Sequence, residues 1–130
     1  MQSIFPNWTF LAPDTIAAYG LHGALWIGPL HSIASRPDDW LRELSAFEID
    51  LFRNWALADH GRAANVLDGP LFALQHLVEL LAADPLNPPL AAGEVVTTGT
   101  LTRAFPVAVG EVWTTELTRI PLEGARIRFT

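Results

Sequence analysis

The stretch AFEIDLFRNWALADHG, residues 46–61, constrains the fold more than any other part of the chain. Phe47, Ile49 and Leu51 point one way from an extended backbone, and Glu48, Asp50 and Phe52 the other. That is the period of a strand with one wet face. A turn near Arg53-Asn54 leads into a return strand that ends by His60-Gly61. Trp55 rather than glycine follows Asn54, so a loop longer than a type I′ turn is expected. The chain is therefore committed to a sheet with one covered face.

The cover has one clear source. DGPLFALQHLVELLAADP reads as a helix, with Asp68 as its cap, Pro70 in its first turn and Pro85 as its stop. Leu74, Leu77, Val78 and Leu81 share a face that Leu71 and Leu80 widen, so most of this helix is expected to be buried. The continuous apolar run Ala24–Ile27 fits a buried strand. SRPDDWLREL reads as a polar loop with one helical turn begun by Asp38 or Asp39. PLNPPLAAGE is a stiff linker to a strand over Glu94–Thr97, which ends in the polar hook Thr98-Gly99-Thr100. Val112 and Thr114 alternate with Trp113 and Thr115, and Ala125, Ile127 and Phe129 alternate with Arg126 and Arg128. There is no internal repeat. The expected fold is α+β, a β-rich mixed roll with one main buried helix, in a single domain over residues 1–130.

Composition excludes several functions. Half of the 130 residues are hydrophobic and 17% are charged, which implies a substantial core rather than disorder. There is no cysteine, and hence no disulfide, thiolate nucleophile or zinc–thiolate site. There is no lysine either, which removes Schiff-base chemistry and a lysine base. The net charge is −6 and the arginines are scattered, so nucleic acid is not an expected partner. No apolar run approaches the roughly 18 residues of a membrane helix, and the first thirty residues carry no secretory pattern. A cytoplasmic location, without membrane association, is expected.

Candidate chemistry is sparse. Glu48 and Asp50 on one strand face could chelate a hard cation, but no third carboxylate is placed to join them, and they read as the wet face of the hairpin. His22, His31, His60 and His76 show no HxH or HxxxH spacing, so no metal site is assigned. His76 is expected to pack within the helix with a hydrogen-bonded ring nitrogen. His22 lies in the Gly20–Gly23 turn and is the one acid–base candidate. At Thr98-Gly99-Thr100, a glycine between two hydroxyls would let backbone N–H groups and side chains meet a carboxylate, or the segment is an ordinary turn.

The segments NWTFLAPDTIA, HGALWIG, ANVLDGPLFALQHLVELL, LAAGEVVTTGTLT, FPVAVGEVW and GARIRF carry a resemblance. From Pro6 to Phe129 the chain resembles the C-terminal half of the 2-keto-4-pentenoate hydratase family, within the fumarylacetoacetate hydrolase superfamily. The resemblance implies a β-roll core and a divalent metal, magnesium or manganese, in the complete enzyme. It implies water addition to 2-hydroxypenta-2,4-dienoate-type enols in aromatic catabolism, or decarboxylation in sister enzymes. It places Thr98, Gly99 and Thr100 where the family binds the 2-oxo-carboxylate end of its substrate.

The departures are as informative as the match. The family's Glu-x-Glu metal ligands, its further acidic ligand and its lysine precede the segment that matches Met1. Where the family reads like Asp-Asn-Ala-Ser-Ser, this chain has AYGLHG, so Ala18, Tyr19, Leu21 and His22 replace polar residues. The expectation is a truncated hydratase-like chain that is inactive alone and has no cofactor of its own. The alternatives are a non-catalytic binding module and one half of a split 2-oxo-acid hydratase or decarboxylase. The expected ligand is a small 2-oxo acid or dienoate. The apolar Phe5, Trp8 and Phe10 imply homo-oligomerisation or pairing with an N-terminal half.

Overall fold

The computed structural model describes residues 3–130. After a 3-10 turn at Pro6–Trp8 comes the short helix α1, Ala12–Ala17. Helix α2, Pro37–Ala46, runs into strand β1, Glu48–Arg53, and its antiparallel partner β2, Ala56–Arg62. Helix α3 spans Pro70–Ala83, and strands β3, Val112–Thr118, and β4, Arg126–Arg128, complete the sheet. The sheet order is β2-β1-β3-β4 and every pairing is antiparallel, so it is not the mixed sheet expected. Helices take up more of the chain than strands, which also corrects the β-rich expectation. The α+β class stands.

The hairpin is tighter than its sequence suggested. Arg53 pairs with Ala56, leaving a two-residue turn of Asn54 and Trp55 with φ of 49° and 66°. Tertiary contact explains how a tryptophan comes to sit in a left-handed conformation that normally favours glycine. The Asn54 N–H donates to the Val112 carbonyl at 2.8 Å, and its Oδ1 accepts from the Val112 N–H at 2.9 Å. Asn54 is thus stapled to the start of β3, and the turn closes around that anchor.

The stretch expected to be a loop around Asp38 is the ten-residue helix α2. Pro37 opens it, Asp38 and Asp39 sit in its first turn where the helix dipole favours negative charge, and Arg36 pairs with Glu43 at 2.6 Å. It buries Trp40, whose indole N–H donates to the Ser32 carbonyl at 3.2 Å. Trp40, Phe47, Ala63 and Ile120 form the core, flanked by Leu44, Leu101, Leu117 and Leu122. This core lies at the end of the sheet where β1 begins and β2 and β3 finish.

Helix α3 is where expected, but it buries none of its residues. Phe72, Val78 and Leu80 are exposed, because only α2 packs against it to any extent. Its cap is Gly69, with φ of 139°, and Asp68 makes no capping bond. Leu67 and Asp68, at φ of 47° and 64°, break the apolar run Ala63–Ala83 ahead of the helix. Contrary to the expectation that no apolar run approaches 18 residues, this run of 21 has the composition of a membrane span, but the 14 residues of α3 rise only about 21 Å, short of a bilayer's hydrocarbon core.

Two expected strands are not formed. Ala24–Ile27 is irregular and exposed, with Trp26 folded back over Gly28. Glu94–Thr97 lies in the irregular connection between α3 and β3, with Val95 65% exposed. A strand needs a partner for its N–H and C=O groups, and neither run joins the ladder of the sheet.

Candidate functional site

A cleft of about 390 Å³ opens beside β2, lined by Asp59, His60, Asn65 and the run Thr100–Arg103. Two groups of contacts hold that run in place. Arg103 donates to Asp59 three times, from its backbone N–H at 2.8 Å and from its guanidinium at 3.2 Å twice. Asn65 donates to the Leu101 carbonyl at 2.8 Å. The same carbonyl sits so close to Gly61 that a methyl group there would collide with it. Glycine at position 61 is therefore what lets the irregular chain lie flat on the strand. The side-chain hydrogen bond from Arg103, and then its backbone N–H, hold the Asp59 carboxyl below its ordinary range.

Beside the cleft, His60 Nδ1 meets Asp50 Oδ1 at 2.7 Å. The pairing depends on an irregularity in the hairpin. A ladder continued from Arg53–Ala56 would set Asp50 against Asp59, two like charges across a strand pair. A bulge between Leu51 and Phe52 inserts one extra residue on β2, so Asp50 faces His60 and Asp59 is released to bind Arg103. On its other side Asp50 faces Glu116 of β3.

Of the residues singled out from the sequence, Thr100 lines the cleft, whereas Thr98 and Gly99 lie exposed just before it. A Cβ at Gly99 would meet Val66 at 3.5 Å, an ordinary contact, so packing within the chain does not itself require glycine. His22 is exposed after the 3-10 turn Tyr19–Leu21 and does not line the cleft. His76 is not packed: its side chain is 63% exposed and 3.9 Å from Glu79, because α3 itself is uncovered. The sequence gives no signal for Asp59, Asn65 or Arg103, and offers His60 only as one of four histidines without metal-ligand spacing. The Asp50–His60 pairing could have been read from the hairpin only with its turn length and bulge known.

The carboxylates do not fit a metal. Among the described residues no three histidine, aspartate or glutamate side chains converge on one point. Glu48 lies 3.9 Å from both Arg62 and Arg119, and Asp50 is engaged by His60. Magnesium needs several hard oxygens in near-octahedral geometry, which this arrangement does not offer.

An antiparallel α+β domain with a polar cleft beside one outer strand is thus the class of protein defined. No family model matches the chain, and no curated protein matches it. Among solved structures, it is similar to 4-oxalocrotonate decarboxylase from Pseudomonas putida G7, complexed with calcium and acetate. The identity is 31% and the TM-score 0.58, over 68% of this chain and 32% of the other, so the chain spans about a third of that enzyme's length. The likeness supports the fumarylacetoacetate hydrolase superfamily and does not single out the hydratases within it.

Proposed function

We propose that this chain forms the substrate-binding part of a 2-oxo-acid lyase of the fumarylacetoacetate hydrolase type. The reading is carried by one observation: Thr100 heads a run of chain clamped beside a polar cleft, in a fold shared with a decarboxylase solved with a small carboxylate bound. Thr98 and Thr100 supply hydroxyl donors to the acid's carboxylate, and the exposed backbone at Gly99 leaves room for close approach. Hydration of a dienol and decarboxylation of a 2-oxo diacid both proceed through an enolate. Both reactions therefore ask the same of this site: hold the carboxylate end and fix the neighbouring carbonyl.

No step is assigned to a metal, since the residues present do not assemble a site for one. Any magnesium or manganese would need carboxylates that the described residues do not bring together. The chain alone is accordingly proposed to bind a 2-oxo acid without completing hydration or decarboxylation. Titration with pyruvate, followed through backbone amide resonances, tests the binding. Shifts concentrated at Val96–Leu101 are expected, and Thr100→Val should weaken binding by about 1–3 kcal/mol, the cost of a lost hydrogen-bonding partner. Shifts spread evenly over the surface, or none at millimolar pyruvate, overturn the reading. So does turnover of 2-hydroxypentadienoate by the isolated chain with magnesium present.

A further inference from the structure

We infer that His60, oriented by Asp50, is the acid–base residue of this cleft and moves a proton at the carbon next to the carbonyl of a bound 2-oxo acid. The inference rests on the carboxylate reading of the Thr98–Thr100 segment and adds to it a proton-transfer group. Three observations carry it. An ionised carboxylate only accepts, so the 2.7 Å contact with Asp50 places the imidazole proton on Nδ1. That leaves the lone pair on Nε2, the form in which a histidine acts as a base. His60 and Thr100 line the same shallow, solvent-open cleft, where a small acid can reach both. Thr100 and Thr102 stand beside His60 in that lining, so their hydroxyls are placed to donate to a ligand's oxygens.

The bulge gives this arrangement its meaning. A regular hairpin would have left Asp50 facing Asp59 and His60 without its carboxylate. The extra residue separates the two acids, sending one to hold the clamp through Arg103 and the other to orient the histidine.

The step balances without a co-reactant. Nε2 takes the proton from C3 of the acid, and the C3–H electron pair becomes the C2=C3 bond. The carbonyl pair moves onto oxygen, where the Thr102 hydroxyl meets it while Thr100 holds the carboxylate. Return of a proton from the imidazolium restores the 2-oxo acid. In heavy water the returned proton is a deuteron, so the net result is hydrogen exchange at C3.

That exchange is the test. The 130-residue chain is incubated with 2-oxobutanoate in D2O and the C3 proton signal is followed by NMR, while the amide shifts of Val96–Leu101 are read on a parallel sample in H2O. Exchange on the order of a hundredfold faster than with free imidazole at the same concentration is expected. His60→Gln should abolish the excess while leaving the Val96–Leu101 shifts in place, which shows that fold and ligand site survive. Asp50 is a positioning residue. Asp50→Asn should slow exchange about tenfold, and Asp50→Glu, which keeps a carboxylate for the Nδ1–H, should restore part of the loss.

The other charged groups near the pair are Glu116 across from Asp50, Glu48 with Arg62 and Arg119, and the Asp59–Arg103 ion pair. All of them stay unchanged in these variants. Localised shifts without exchange above imidazole, or exchange that survives His60→Gln, overturn the inference and leave the binding site standing. Absence of both shifts and exchange overturns the two together.

Discussion

Asn54 and Trp55 show how much a single position can decide. Asn54 tolerates a left-handed backbone and uses it to reach Val112 with both its N–H and its side chain, whereas Trp55 is 73% exposed and gains little packing. Trp55→Gly should therefore raise stability by about 1 kcal/mol, the usual cost of a left-handed conformation for a residue with a Cβ. Urea unfolding followed by the remaining tryptophans reads this directly, and a fall in midpoint would count against the turn described. At Asp59 the relevant lever is pH. Its carboxyl is held low by Arg103, so its contribution to the clamp is complete above the ordinary aspartate range. That contribution is lost as pH falls through the depressed native value, below the ordinary aspartate range. The Arg103 amide should lose protection relative to its intrinsic exchange rate on that descent, and Asp59→Asn should show the low protection already at neutral pH.

Among the elements, β2 carries the most consequence. It pairs with β1 on one side and, through Gly61, accepts the Thr100–Arg103 run on the other. Gly61→Ala should push that run away at about 1–3 kcal/mol, the range for overpacking a fitted contact, and should lower affinity for a 2-oxo acid in parallel. Loss of stability with binding unchanged would separate the clamp from the ligand site. Helix α2 carries the core instead. Trp40→Ala removes the largest side chain of the cluster with Phe47, Ala63 and Ile120, and a loss of about 3–5 kcal/mol is expected in denaturant titrations. The hairpin was legible because alternation is a property of neighbouring residues. Helix α2 is not legible in the same way, because two aspartates after a proline fit a loop equally well, and only the pocket that buries Trp40 selects the helix.

Over the whole molecule, the apolar surface is large for a chain of this size. Trp8, Trp26, Phe72, Val78 and Leu80 are all exposed, and the aromatics Phe5, Trp8 and Phe10 cluster at ring separations of 6.0 and 6.5 Å. Contiguous apolar patches beyond a few hundred Å² are seldom left in water. Self-association at micromolar concentration is the expected outcome, checked by light scattering. Replacement of Trp8 and Phe10 by serine should shift the population toward monomer if the N-terminal cluster forms the contact.

What the sequence determined by itself was local: the hairpin at residues 48–62, the start of α3 at Pro70, the extended runs of β3 and β4, and a superfamily resemblance spread over most of the chain. Each rests on neighbours in the chain, through period, proline or turn chemistry. Only the tertiary structure decided the rest. It left Ala24–Ile27 and Glu94–Thr97 out of the sheet, because a strand exists only where a partner meets it. It exposed α3, because amphipathicity says which face could be buried and not whether anything arrives to cover it. It joined Asp50 to His60 and Asp59 to Arg103 through one bulged residue, because charges far apart in the chain are sorted by register.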